Sequence, residues 1–221
     1  MISHTFDSRE TWLQSLLQRF QQLFKEAILK RGRFHVALSG GSTPKELYAA
    51  LHGLDLDWSQ IVWWLGDERW VKPDHADSNE KMIRSSLGAG ISPFAFQSWH
   101  SSEDPAIAAA NYEKNLIKLL GPQPSIDLVL LGIGTDGHTA SLFPGTKALQ
   151  ENKHYAISNR VPQLETTRVT LTYPALNLAH ETWFLVKGAD KQEMVDRLLQ
   201  RDQTIPSACI EAKNQQLYWW K

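Results

Sequence analysis

Asp136 and His138 stand two residues apart in the run Gly132-Ile133-Gly134-Thr135-Asp136-Gly137-His138, directly after the apolar residues Leu130 and Leu131. A carboxylate beside an imidazole is the arrangement of a general base, and glycines at the carboxyl end of a strand let the backbone approach a ligand closely. Asp136 could equally hold its own turn by accepting backbone N–H groups. Gly132, Gly134 and Gly137 also satisfy G-x-G-x-x-G, the fingerprint of a dinucleotide site. That reading fails on context: the loop comes late in the chain, and Pro144-Gly145 soon interrupts it. No NAD or other cofactor is expected.

A second cluster, Gly40-Gly41-Ser42-Thr43-Pro44, follows the apolar run Phe34–Leu38. It gathers backbone N–H groups, two hydroxyls and the start of a helix, with Thr43 as cap and Pro44 in the first turn. This suits a phosphate dianion better than a plain capped turn, which needs neither two glycines nor both hydroxyls. It is not a Walker loop, since no Gly-Lys-Ser/Thr follows. Arg69 and Lys191 stand just after two other apolar runs and are candidate cationic partners, with Arg168 a third. Asp67 either caps the helix that follows it or orients a catalytic partner.

These residues need elements to bring them together. Residues 7–31 carry apolar side chains at three- and four-residue spacing, with Asp7 or Ser8 as N-cap and Gly32 as C-cap, and read as a long amphipathic helix. Strands are expected at Phe34–Leu38, Ile61–Leu65, 126–131 and 182–186. Helices are expected at 78–87, 105–120 (Asp104 as cap) and 191–200, with a shorter one at 174–178. Residues 154–158 and 168–172 are strand-like, and 217–220 is expected to close an edge. Strands alternating with helices predict an α/β fold: a largely parallel, open, Rossmann-like sheet flanked by helices on both faces, with a small additional lobe. Such sheets bind ligands beyond the carboxyl ends of their strands. No linker divides residues 1–221, so one domain is expected.

Composition narrows the function classes. The 221 residues carry a formal charge of −1 and are 42% hydrophobic, which gives no overall attraction to nucleic acid or to an anionic membrane surface. The expected ligand is a small molecule. A single cysteine, Cys209, excludes an internal disulfide and has no signature of a nucleophile. The eight histidines show no metal-ligand spacing, so no metal site is expected. No signal peptide precedes the first helix, and no apolar run approaches the ~20 residues needed to span a bilayer, which points to the cytoplasm. The nine tryptophans, including Trp63-Trp64 and Trp219-Trp220, are assigned to core and sheet packing rather than to a sugar platform.

Taken together, Leu38 to Pro44, Gly66-Asp67-Glu68-Arg69-Trp70-Val71, Asp77-Ser78-Asn79, residues 127–145, Arg168 to Thr172 and Gly188-Ala189-Asp190-Lys191 resemble the 6-phosphogluconolactonases, which are related in fold to glucosamine-6-phosphate isomerases. The resemblance covers nearly the whole chain in family order. It implies metal-independent hydrolysis of 6-phospho-D-glucono-1,5-lactone in the pentose phosphate pathway. It also implies that Gly40, Gly41, Ser42 and Thr43, with Arg69 and Lys191, hold the 6-phosphate while His138 activates water. Asp136 or Asp67 would orient the imidazole, and N–H groups of the Gly134 to Gly137 turn, or a nearby cation, would stabilise the oxyanion. A monomer or homodimer acting on a phosphorylated sugar lactone is the expectation.

Two rivals are weaker. In the isomerase relatives a glutamate taking part in ring opening stands five residues after the histidine, and here that position is Phe143, which cannot carry a proton. Sugar-phosphate-binding domains of transcription regulators share the kind of fold. However, this chain has no helix-turn-helix or basic face, and a sensor has no use for His138 with Asp136.

Overall fold

The computed structural model describes residues 1–88 and 95–221. Six strands form one parallel sheet: β1 (Ile2–Phe6), β2 (Phe34–Leu38), β3 (Ile61–Leu65), β5 (Leu128–Leu131), β8 (Glu181–Lys187) and β9 (Gln215–Trp220), in the order β1-β9-β8-β5-β2-β3. A second, antiparallel sheet holds β4 (Asp67–Arg69), β7 (Thr166–Leu171) and β6 (Ala156–Val161), in that order. The helices are α1 (Arg9–Arg31), α2 (Ser42–Leu51), α3 (Asn79–Leu87), α4 (Pro105–Leu120), α5 (Tyr173–Asn177) and α6 (Gln192–Leu199). The α/β class and its predominantly parallel sheet are as expected, and the small lobe is the three-stranded sheet.

The parallel strands are apolar because both faces are covered. Every residue of β2, β3 and β5 is buried, and Trp12, Trp63, Trp64, Trp99 and Trp183 are fully enclosed, so most of the tryptophan content is core. α1 lays Trp12, Leu16, Phe20 and Ala27 on the sheet; Ser8, rather than Asp7, caps it by accepting the Thr11 N–H, and Gly32 ends it at φ 73°. Asp104 caps α4 by accepting the N–H groups of Ala106 and Ile107.

Two strands were not foreseen and two expectations need correction. β1 has no apolar alternation, being mostly exposed, and was not expected; it exists because its backbone pairs with β9. β9 is therefore an inner strand between β1 and β8, and residues 217–220 do not close an edge. β4 is too short to show a period and forms only by pairing with β7. Thr43 does not cap α2: the helix begins at Ser42, and Gly41 occupies the cap at φ 102°, a conformation that disfavours any side chain.

The sheet order decides where a ligand can sit. From β2 the chain passes through α2 to β3 on one side, whereas β5 pairs with β2 on the other, so the loops leaving β2 and β5 diverge and leave a crevice. Gly66 ties the small sheet to this rim: its N–H donates to Leu38 O at 2.8 Å and its carbonyl accepts the Leu171 N–H at 2.8 Å.

Candidate active site

A cavity of about 820 Å³ opens at that crevice. It is bounded by residues 39–44 after β2, Asp67 and Arg69 on β4, residues 132–136, 138–141 and 143 after β5, Arg168 on β7 and residues 185–188, 190 and 191 around the end of β8. Of the candidate residues, Gly137 alone lies outside the lining.

The turn after β5 builds the reactive couple. His138 Nδ1 lies 2.5 Å from Asp136 Oδ1, and the same oxygen accepts the His138 backbone N–H at 3.1 Å. Burial alone would raise the Asp136 carboxyl, but these bonds to His138 outweigh it and hold the group below the usual carboxylate range. Gly134 is required by proximity rather than by its dihedrals: a Cβ there would strike the His138 ring and the Asp136 carboxylate. Gly137 sits at φ 78° beside Ile205. The imidazole also stacks on Phe143, with centroids 4.0 Å apart and planes at 24°. Ring, carboxylate and phenyl together leave Nε2 as the nitrogen available to a ligand.

Two sequence-derived roles do not match this geometry. Gly134 N–H donates to His138 O at 2.9 Å and Gly137 N–H to Gly134 O at 3.0 Å, so both amides hold the turn and neither is free for an oxyanion. Asp67 does not touch His138. Its carboxylate accepts the Ser141 hydroxyl at 2.5 Å and lies 3.4 Å from Asn79 Nδ2, which places Asp136 alone beside the imidazole.

Asp67 and Glu68 fix the rim. Glu68 is fully buried and accepts the N–H groups of Arg69, Asn79 and Glu80, each at 2.7 Å, together with the Ser78 hydroxyl at 3.1 Å. Burial pushes its carboxyl up against the opposing pull of those N–H groups. The arrangement seats a carboxylate at the N-terminus of α3. Asn79 Nδ2 then reaches Asp67 O at 3.0 Å, and its amide occupies the space a Cβ on Gly40 would need.

Cationic side chains line the same cavity. Arg69 and Arg168 are register partners across β4 and β7, so two guanidinium groups lie side by side. The Nε atoms of both are buried and have no acceptor among the described residues, while Arg69 Nη1 donates to Asp77 O at 2.8 Å. Burial and the neighbouring Arg69 lower the Arg168 pKa. Paired cations with unmet donors call for an anion. Ser42 and Thr43 add N–H groups with no backbone acceptor among the described residues, and Lys191 reaches the rim from the turn Ala189–Lys191.

Sequence reasoning missed Ser141, whose roles exist only in three dimensions: it bonds Asp67, accepts Asn159 Nδ2 through its carbonyl, and donates its N–H to Thr170 Oγ1. It also missed Lys187, whose ammonium lies 3.6 Å from Glu46 and over the Trp220 ring. Leu164, half exposed at the tip between β6 and β7, was missed as the apolar part of the wall.

An imidazole–carboxylate couple and an anion cradle lining one cavity at the switch point of a parallel sheet define an α/β protein built for a small anionic ligand. The chain belongs to the glucosamine-6-phosphate isomerases/6-phosphogluconolactonase family, whose profile matches residues 7–219. It is 40% identical over 204 residues to a 6-phosphogluconolactonase of Nostoc sp., an alignment covering 87% of this chain and 83% of the relative. A 6-phosphogluconolactonase of Synechocystis sp. is 38% identical over 209 residues, covering 88% and 84% respectively. The crystal structure of a 6-phosphogluconolactonase from Shewanella baltica superposes with a TM-score of 0.89 at 27% identity, covering 100% of this chain and 98% of that one.

Proposed function

We propose that this protein hydrolyses 6-phospho-D-glucono-1,5-lactone to 6-phospho-D-gluconate, the lactonase step of the oxidative pentose phosphate pathway. The observation that carries the reading is that the Asp136–His138 couple and the Arg69–Arg168 pair line one cavity. Family membership and relatives named 6-phosphogluconolactonase support it.

The 6-phosphate would lie between the two arginines and the N-terminus of α2, with Ser42, Thr43 and Lys191 completing its shell, so that the ring is oriented before reaction. Asp136 holds Nδ1–H and leaves Nε2 as general base. Nε2 takes a proton from water as its oxygen attacks the lactone carbonyl. The tetrahedral intermediate then collapses, the ring C–O bond breaks, and the imidazolium returns the proton to the departing ring oxygen. A lactone is an activated ester, and these steps require neither a metal nor a covalent nucleophile. With the Gly134 and Gly137 amides engaged, the oxyanion is assigned to the Thr135 N–H or to a cation of the rim.

The test is hydrolysis of freshly generated 6-phosphogluconolactone in EDTA, with the spontaneous rate subtracted, beside unphosphorylated gluconolactone. Rapid turnover of the phosphorylated lactone alone is expected. No acceleration by folded protein would sink the proposal and leave isomerisation or non-catalytic sugar-phosphate binding to be tested.

A further inference from the structure

The turn that carries His138 is closed on itself. Within residues 134–138 the Gly134 N–H bonds His138 O, the Gly137 N–H bonds Gly134 O, and Asp136 accepts from His138. Among the described residues, one hydrogen bond ties 134–138 to another segment: the Ser207 N–H donates to Gly137 O at 3.0 Å. Internal bonds fix the shape of the turn. Where the imidazole points depends on what the turn rests against.

Ile205 is that support. A Cβ on Gly137 would lie 2.5 Å from Ile205 Cβ and 2.6 Å from Ile205 Cγ2, so the side chain sits directly on the glycine backbone, and it does so through its β-branch. Ile205 is 2% exposed, and neither it nor Gly137 lines the cavity, so a bound ligand would not touch this contact. The segment around Ile205 is itself pinned. The Ile205 N–H donates to Asp202 O at 3.1 Å, and the Asp202 carboxylate accepts the Thr204 N–H at 3.0 Å and Arg197 Nε at 2.8 Å. On its other side the Tyr173 hydroxyl donates to Pro206 O at 3.0 Å. With the backbone held on both sides and χ1 restricted by branching, the γ-methyl has one place to be.

We propose that Ile205 is a positioning residue for His138. Its β-branch, rather than its bulk, seats Gly137 and thereby aims Nε2 of the imidazole into the cavity. The kinetic arm of the test rests on the lactonase reading; the spectroscopic arm does not.

Branch and bulk separate on substitution. Ile205→Val keeps Cβ and Cγ2 and loses only the terminal methyl, whereas Ile205→Leu and Ile205→Met keep the bulk and lose the branch. A residue that merely fills the core tolerates the volume-conserving changes best. A positioning residue reverses that order in kcat. Ile205→Val should keep kcat for 6-phosphogluconolactone within about twofold, while Ile205→Leu and Ile205→Met should lower it about three- to tenfold with KM nearly constant. Thermal melts identify which variants are folded, and the two unbranched variants guard against one of them failing to fold. In parallel, the ring 15N resonances of His138 are recorded in each labelled full-length protein. They should keep their wild-type positions in Ile205→Val and move in the unbranched variants. Wild-type kcat in a folded unbranched variant, a loss in Ile205→Val as large as in the others, or KM rising in step with the fall in kcat overturns the proposal. If the wild-type protein does not hydrolyse the lactone, the lactonase reading fails and the resonances alone decide: unmoved signals in the unbranched variants overturn the positioning role.

Discussion

Asp136 accepts both the ring Nδ1 and the backbone N–H of His138 through one oxygen, at 2.5 and 3.1 Å, so one carboxylate sets the tautomer and the turn together. The two functions separate on substitution. His138→Ala should lower kcat for lactone hydrolysis by about 10²–10⁴-fold, with product affinity changed far less. Asp136→Asn keeps a backbone acceptor but loses the charge, and kcat should fall by about 10–10²-fold. Both are read from initial rates above the spontaneous reaction. Full activity in His138→Ala would move the base elsewhere.

Arg69→Ala and Arg168→Ala test the anion cradle. Each should raise KM for the phosphorylated lactone by about tenfold to a hundredfold, the scale of one charge-assisted contact, while weak hydrolysis of gluconolactone changes little. The two effects should be less than additive, because removing one guanidinium relieves the like-charge contact felt by the other. Equal losses on both substrates would assign the pair to the fold.

Phe143 stacks on the imidazole and is 5% exposed. Phe143→Leu keeps apolar volume but not the stacked face. Its kcat should fall about three- to tenfold with KM nearly constant, since the change loosens ring orientation rather than substrate binding. A melting curve distinguishes this from global damage.

His35 makes stability depend on pH far from the active site. Burial first, then Arg33 and Arg31, lower its pKa from 6.5 to about 4, and its Nδ1 accepts Trp64 Nε1–H at 3.1 Å. The unfolded chain takes up this proton near pH 6.5 and the folded chain only near 4, so the contribution is intact above 6.5 and is lost as pH falls towards 4. Between pH 6.5 and 5 the loss is about 2 kcal/mol, or roughly 5 °C in Tm. His35→Asn retains an acceptor for Trp64 and should remove this component from the thermal-melt profile. An unchanged profile would place the acid sensitivity in other groups.

The central parallel strands and the long helices were legible because their signals are local. β2, β3 and β5 are short apolar runs bounded by glycine or polar turns, and α1 and α4 have caps and a helical period in the chain itself. β1 and β4 were not legible, since a mostly exposed strand and a three-residue strand carry no period and owe their existence to β9 and β7.

The same division runs through the site. Residue types and turn chemistry alone put a base candidate at His138, a carboxylate at Asp136, and an anion-binding helix start after Gly41. Contacts between distant segments decided the rest. They set Asp67 on Ser141 rather than on the imidazole, engaged the Gly134 and Gly137 amides inside their own turn, and stacked Phe143 on His138. They also brought Arg69 beside Arg168, 99 positions apart in the chain. A side chain's chemistry is fixed by its type, but its partner is fixed by strand register and sheet order, and those follow from burying the whole apolar set at once.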